Sequence, residues 1–526
     1  MYIFPDGRIY CLQNVPLNPN SEDTFLFTGA NDTEAYNNQF NYFYSKRNSS
    51  LDMLAQSYTR VGDGIIRAPG KADDYYAVNY IMFQNHAHGN KWFYAFINKI
   101  EYVNEGTTRL YFSIDPIQTY LYNYHTTECF VERMSTPTDG IGEWMAPEMV
   151  SLGEYTYNAN SVLIGDSFTE KRIIVMKVDP VSNTDGYYDD TYSAATLKVY
   201  DPIDDLTALR TFISQSTPES IIGMYMIPAA VVGNQSGGTV LEQVNAQYSK
   251  RHSFAPLTGT EGLDGYVPKN KKLYTFPYNF LTVYNGTGQS MVCRYEFFTQ
   301  LTAQFMIRSC ILPPVEMQII PLNYKNQASG NQINRLTMAN FPMCSWSQDA
   351  YAAWWALNSE SFIVDNMTKG AVNAGIAGAG FAMGGALGIA TALPAISSSI
   401  NQVSNMLSNM AKIDSAADLT SGTFNSGNVA YSIGAQEFRA TRTCITGNYA
   451  KRIDDYFTAY GYAIGTNRKP SRNNRSRFTY VKTVACNVYG NLPVDDALNI
   501  AKMYDRGIRF WKDTNNFCNY SLGNPI

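Results

Sequence analysis

The chain has 526 residues, of which 45% are hydrophobic and only 16% charged, against a typical ~25% charged. Lys and Arg number 40 against 45 Asp and Glu, a net charge of -5, which excludes a strongly basic DNA-wrapping protein and an acidic disordered tail. The length allows roughly three to four domains, and 39 Tyr with 27 Phe favour strands and interfaces.

Met1 to Asp6 shows no basic stretch followed by an apolar one, so no secretory signal is visible and the product is expected to stay in the cell or leave packaged in a particle. Residues 1–130 read as β-rich. Lys91 to Ile97 is a strand by aromatic and β-branched content, and Asn104-Glu105-Gly106 supplies a turn in which the glycine is free to take a positive φ. The return run places Thr108, Leu110, Phe112 and Ile114 on one face and Arg109, Tyr111, Ser113 and Asp115 on the other, as in a half-buried hairpin. Residues 131–270 suggest a second domain. They carry buried strands at Ile173–Met176 and Ile221–Ile227, a short helix over Asp204–Ser214, and loops at Asp179-Pro180 and 185–190.

A β region over 271–346 contains a second hairpin. Phe280–Tyr284 leads through Asn285-Gly286 to an aromatic return run, Ser290–Phe298. Residues 441–526 add a strand over Phe478–Tyr489. A helix follows, framed by Pro493, by Asp495 and Asp496 in its first turn, and by Gly507 past its end. The fold class expected is mainly β with minor α, in a multidomain chain. The eight cysteines form no CxxC pair and read as free thiols of a cytoplasmically made protein.

Residues 347–440 differ from the rest. Ser347–Asn366 reads as a helix. Gly370 to Ala411 then contains no Asp, Glu, Lys, Arg or His. Its first part, Ala371 to Leu393, holds eight Ala and six Gly in 23 residues, long enough to cross a ~30 Å hydrocarbon core. Gly380, Gly384 and Gly388 fall four apart, the spacing that lets membrane helices approach closely. Val372, Ile376, Phe381, Met383, Leu387, Ile389 and Leu393 are its larger apolar residues. Ile396, Ile400, Val403, Leu407 and Met410 then recur at helical spacing as one apolar stripe. Burial of so small a set of side chains gives only modest energy per residue, and glycine weakens a helix in water by ~1 kcal/mol relative to alanine. The segment therefore reads as conditional: packed against its own copies in water, or in lipid when released. A buried helical hairpin or a glycine-rich loop of a soluble core is the plain alternative.

Catalytic signatures are scarce. No P-loop, HExxH or GxSxG is present, and Gly378-Ala379-Gly380 follows no strand. No cofactor, catalytic residue or metal site is expected. His86 and His88 could share a strand face, but two ligands do not make a site. The Asp pairs 73/74, 189/190, 204/205, 454/455 and 495/496 suit solvated or capping roles better than a glycosidase acid and base. The stretch Arg468 to Arg477, with five positive charges, reads as a solvated loop before it reads as a phosphate contact.

A set of motifs in order resembles one family. Lys91-Trp92-Phe93-Tyr94-Ala95-Phe96-Ile97, Glu101-Tyr102-Val103-Asn104, Thr107 to Phe112, Asp115-Pro116-Ile117-Gln118-Thr119, Lys272 to Phe280, Asp454-Asp455-Tyr456-Phe457, Tyr460-Gly461-Tyr462 and Gly507 to Trp511 are similar to the tail-knob proteins of small short-tailed phages of Gram-positive bacteria. The length is similar to that of major tail proteins of streptococcal podoviruses. The resemblance implies a hexameric tube at the distal end of the tail, β-barrel-like tube domains similar to tail-tube hub proteins, an outer domain over 131–270, and a long apolar loop insertion that plugs the tube and enters the host cytoplasmic membrane. On this reading residues Ala371 to Leu407 named above are the plug, and the hairpins at 92–114 and 280–298 lend open edges to the next subunit. The implied partners are further copies of the chain, other tail and collar proteins, the host cytoplasmic membrane, and genomic DNA passing without specific binding. A tail-associated cell-wall hydrolase and a receptor-binding tail module are the rival readings.

Overall fold

The computed structural model describes residues 7–54, 58–157, 161–168, 170–177, 196–216, 221–241, 248–286, 288–311, 315–326, 335–339, 341, 343–347, 421–425 and 437–526. These residues are mainly strand, joined by a few helices, and they divide into two compact units. The first unit is assembled from Met1–Ser151, Tyr266–Leu273 and Asn448–Ile526; the second from Leu152–Gly265 and Tyr274–Gly447.

The first unit holds a six-stranded antiparallel sheet in the order Ile9–Gln13, Val78–Asn85, Lys91–Asn104, Thr107–Ile114, Ile65–Pro69, Thr59–Gly62. The hairpin expected from the 91–114 pattern is its centre, with Ile100 opposite Leu110 and Ala95 opposite Ile114. Thr108, Leu110 and Phe112 are buried, and the alternate residues are half-buried. The turn falls where expected. Gly106 stays outside the left-handed region, and the Asn104 side chain closes the turn by accepting the Gly106 N–H at 3.0 Å. Both outer edges of this hairpin are filled by strands of the same chain, so neither is open to a neighbouring subunit.

A helix over Asp32–Ser45 covers this sheet. Asn31 caps it by accepting the Glu34 N–H, while Glu34 accepts the Ala30 N–H in return. Phe43 on its buried face stacks on Tyr80 at 5.4 Å and meets Tyr94 at 4.6 Å. A second, five-stranded sheet runs Asp23–Phe25, Ile508–Trp511, Phe478–Val484, Cys129–Met134, Tyr462–Arg468. Its first pair is parallel and joins the two ends of the chain. The Asp23 carboxylate holds that junction, accepting from the buried Arg509 guanidinium and from the Trp511 indole, each at 2.7 Å. The C-terminal helix spans Val494–Arg506, with Pro493 at its start, Asp495 and Asp496 in its first turn and Gly507 at its end, as the residue types require.

The second unit contains three antiparallel sheets. One runs Thr239–Val240, Thr196–Tyr200, Lys171–Lys177, Ile221–Pro228, Met343–Ser347, Ser421–Asn425. Its buried Ile173, Ile174, Val175, Leu197, Val199 and Tyr225 build the core, with the helix Leu206–Gln215 alongside. A second sheet places Asn279–Tyr284 between Phe438–Ile445 and the edge strand Ser290–Cys293. Here the return strand is shorter than the Ser290–Phe298 run suggested. The ladder stops at Cys293, because the Arg294 N–H turns to the Tyr324 hydroxyl and the chain continues through two short 3-10 turns. A four-stranded sheet, Tyr248–Ser253, Gln304–Ser309, Met317–Leu322, Leu336–Met338, completes the unit.

Asp115 caps the helix Pro116–Tyr120 by accepting the Gln118 N–H at 3.1 Å and the Tyr80 hydroxyl at 2.9 Å. It is fully buried, and burial pushes its pKa up to about 6. A carboxyl whose folded pKa exceeds its unfolded value of ~3.9 contributes stability that is complete below ~3.9 and lost as the pH rises through about 6. Asp115→Asn should therefore remove a pH-dependent increment on the order of 2 kcal/mol. Thermal denaturation at pH 7 and pH 5 should show wild type gaining more from acidification than the variant; equal gains would contradict this assignment.

Candidate functional site

The sequence-proposed plug residues, Ala371 through Leu407, and all but the first residue of the helix expected over Ser347–Asn366 lie outside the described residues. Ser347 itself ends a strand. What is described is where the intervening chain begins and ends. Met343–Ser347 is a strand because both its sides are paired. Gly223, Met224 and Tyr225 lie opposite Ser345, Cys344 and Met343, and the other side pairs with Ser421–Asn425 over five residues. In that second ladder Ser347 stands opposite Ser421. Opposed residues of an antiparallel pair sit ~4.5–5.5 Å apart at Cα. Ser347 and Ser421, the described residues that bracket 348–420, are thus neighbours on a two-stranded stem at one side of a six-stranded sheet.

The stem is rooted in a sheet that carries one buried cation. Lys171 begins the strand beside Ile221–Pro228, and its ammonium donates to the Phe168 carbonyl. Burial pushes its pKa down to about 7, with Glu437 pulling the other way.

The other candidates resolve into structural parts. His86 and His88 form an exposed 3-10 turn; His86 Nδ1 lies 3.3 Å from Asn90 Oδ1 and His88 packs edge-on to Phe93. No group of three or more metal-binding side chains occurs among the described residues. Asp74 accepts the Lys71 N–H at the start of a short helix. Asp205 accepts from the Asp201 and Gly237 backbones. Asp189 and Asp190 lie outside the described residues. Asp496, in a first helical turn, is raised by burial beside the Tyr120 hydroxyl.

The basic stretch is bound inward rather than solvated. Arg472 donates to the Leu121 carbonyl at 2.9 Å over the Tyr124 ring, Arg475 donates to Thr136 at 3.0 Å, and Arg477 pairs with Asp513 at 2.8 Å. A run of like charges suggested repulsion and exposure, but the planar guanidinium finds carbonyl and ring partners that lysine could not use as well.

Asp454 belongs to a buried clasp that sequence reasoning missed. Its carboxylate accepts the Tyr266 hydroxyl at 2.7 Å, the Lys269 N–H at 2.8 Å, and both the backbone and side-chain N–H of Asn270 at 3.0 and 2.7 Å. Glu148 does the same nearby, accepting Lys272 at 2.6 Å, Arg133 at 2.7 Å and the Ala463 N–H at 2.8 Å. Gly461 lets the chain pass here: its φ is 64°, and a Cβ would lie 2.2 Å from the Met134 backbone. Apart from Arg133, 15 residues from Glu148, each partner is more than 100 residues away along the chain, so no spacing rule could find the set. The motifs 272–280, 454–457 and 460–462 were the available signal. Beside the clasp opens a groove of about 420 Å³, bordered by Asp139, Lys271 and Arg475. Asp139 accepts the Tyr462 hydroxyl at 2.6 Å and the Lys271 N–H at 3.1 Å, and burial raises its pKa. Neither His nor Cys borders the groove, and Asp139 ties the Tyr462 and Lys271 segments together.

Comparison with known proteins defines this multi-sheet chain as a structural virion protein of the phage tail. The family model described as the Bacillus phage phi29 tail knob protein gp9, C-terminal domain, matches residues 242–525, and that of the caudoviral major tail protein N-terminus matches residues 6–125. The chain belongs to this tail knob family of short-tailed phages of Gram-positive hosts. It is 24% identical to the tail knob protein gp9 of Bacillus phage phi29 and 24% identical to that of Bacillus phage B103, in each case over 99% of this chain and 98% of the relative. The solved structure of the bacteriophage C1 tail knob protein gp12 shares the fold, with a TM-score of 0.56 at 13% identity over 99% of this chain and 100% of that one. The protein is a structural component of the distal tail knob, where it assembles with other tail proteins.

Because Ser347 and Ser421 are already paired, residues 348–420 should be replaceable by Asn-Gly, which closes a two-residue hairpin between opposed strands. The shortened protein should be soluble and unfold within about 4 °C of wild type, a change of no more than ~1 kcal/mol. Insoluble or grossly destabilised protein would show that the segment is part of the core.

Proposed function

We propose that copies of this chain close into a hexameric ring whose lumen conducts DNA into the host. The run from Ala371 to Leu407 plugs that lumen before ejection and enters the host cytoplasmic membrane afterwards. The β regions 1–130, 271–346 and 441–526 form the tube wall in this proposal, with 131–270 outside it. The observation that carries the reading is the paired stem. It gives a long uncharged insertion one point of attachment, so the insertion can exchange surroundings without unravelling the sheet that bears it.

The chemistry of the insertion supports the same reading. Among the described residues no helix is long and apolar enough to cross a membrane; in this proposal the membrane role belongs to the run from Ala371 to Leu407, within which Ala371–Leu393 is long enough to span. In hydrocarbon every peptide group must be paired internally, and a run of this length does so as a helix. Small side chains allow six such helices to approach closely. A slightly acidic net charge suits a conduit through which DNA slides without specific binding. We read the protein as non-enzymatic; the carboxylates of Asp454 and Glu148, which accept backbone and side-chain donors from distant segments, support that reading.

Deleting residues 371–393 should reduce dye release from anionic liposomes to the level of vesicles alone while leaving the fold intact; unchanged leakage would overturn the membrane role. Separately, native mass spectrometry with electron imaging of the purified protein should give a closed ring of six copies. A monomer at micromolar concentration would overturn the tube.

A further inference from the structure

Cys129 opens the Cys129–Met134 strand, and Cys486 lies between the Phe478–Val484 and Val488–Gly490 strands. Both thiols are free and buried, each 9% exposed. The two ladders that flank them keep one register: Phe130 is opposite Val484, and Thr126 is opposite Val488. That register sets Ala485 opposite Cys129. In a regular strand Cys486 would then point to the other face of the sheet. Ala485 instead takes the left-handed region, with φ 55°, a conformation that a residue with a Cβ adopts at a cost. The left-handed turn breaks that alternation, and the two buried thiols lie close enough for each to shift the other's titration. Asp505 holds the irregular backbone in place by accepting the Cys486 N–H at 3.0 Å and the Thr483 hydroxyl at 2.8 Å.

We infer that Cys129 and Cys486 are a disulfide site, reduced while the chain is made and closed by a small-molecule disulfide once the virion is outside the reducing cytoplasm. The step balances as two exchanges. One protein thiolate attacks a sulfur of the small disulfide, breaking its S–S bond and releasing one small thiol. The second protein thiolate attacks the resulting mixed disulfide, forms the Cys129–Cys486 bond and releases the second small thiol. The two protein thiols are oxidised, the oxidant is reduced to two thiols, and the two thiol protons pass to those products. Burial disfavours both thiolates and pushes Cys486 up to about 12, so the exchange is slow and the pair survives synthesis in reduced form. The bond would close a loop of about 350 residues and join the N-terminal and C-terminal segments of the first unit, where a cross-link restricts the unfolded chain most. This inference rests on the virion location and is independent of the membrane role.

The test uses the full-length protein incubated with oxidised glutathione at pH 8, then alkylated, digested and analysed by mass spectrometry. The expected result is a Cys129–Cys486 linked peptide and a thermal midpoint raised by about 5–10 °C, with both effects reversed by dithiothreitol. Cys129→Ser and Cys486→Ser should each abolish both effects and otherwise match reduced wild type; Cys129→Ala serves if a serine variant misfolds. Absence of the linked peptide after both native incubation and oxidative refolding would overturn the site. A linked peptide with an unchanged midpoint would overturn its stabilising role.

Discussion

Buried carboxylates fix where the separate segments of the first unit meet. The chain visits that unit three times, and its middle visit is only the short segment Tyr266–Leu273. So short a piece has no core of its own. It is held because Asp454 accepts four N–H and O–H donors from Tyr266, Lys269 and Asn270. Removing such a group leaves buried donors unpaired, at a cost of ~3–5 kcal/mol where charge is involved. Glu148 repeats the device with Lys272, Arg133 and the Ala463 backbone, so the three visits share two anionic centres. Apolar burial alone would not specify which segment lies where; directional bonds to a fixed carboxylate do.

That arrangement explains the pattern of family resemblance. The motifs around 272–280, 454–457 and 460–462 sit where the separate pieces of chain meet. Asp454 and Lys272 are buried ions, Tyr462 bonds to Asp139, and Gly461 passes a backbone too close for any side chain. They are signatures of a chain that must be stitched together. The same holds at the other end of the unit, where Arg509 and Trp511 converge on Asp23.

Local patterns were legible where a segment's partner lies next to it in sequence. The alternation over 108–114 revealed a hairpin, and the sequence from Pro493 to Gly507 revealed a helix, because period and caps are properties of adjacent residues. The helix Asp32–Ser45 escaped notice behind its Asn and Tyr content, although Asn31 and Glu34 spell a capping box. Strand order was not legible. Nothing local says that Asp23–Phe25 pairs with Ile508–Trp511, or that Ser290–Cys293 ends where Tyr324 claims the next amide. The apolar insertion was conspicuous because charge is absent over a long run, a property of composition. Its paired stem was hidden, since Met343–Ser347 finds Ser421–Asn425 only across the whole insertion.

The stem also bears on how such proteins diversify. With Ser347 and Ser421 held side by side, the sheet senses only that the chain returns to its starting point, not what it does meanwhile. Lengthening the excursion between two fixed neighbours is inexpensive, ~0.6 kcal/mol for each doubling in the flexible-chain limit. Insertions, deletions and wholesale exchange of that stretch between related phages would then be nearly silent for folding.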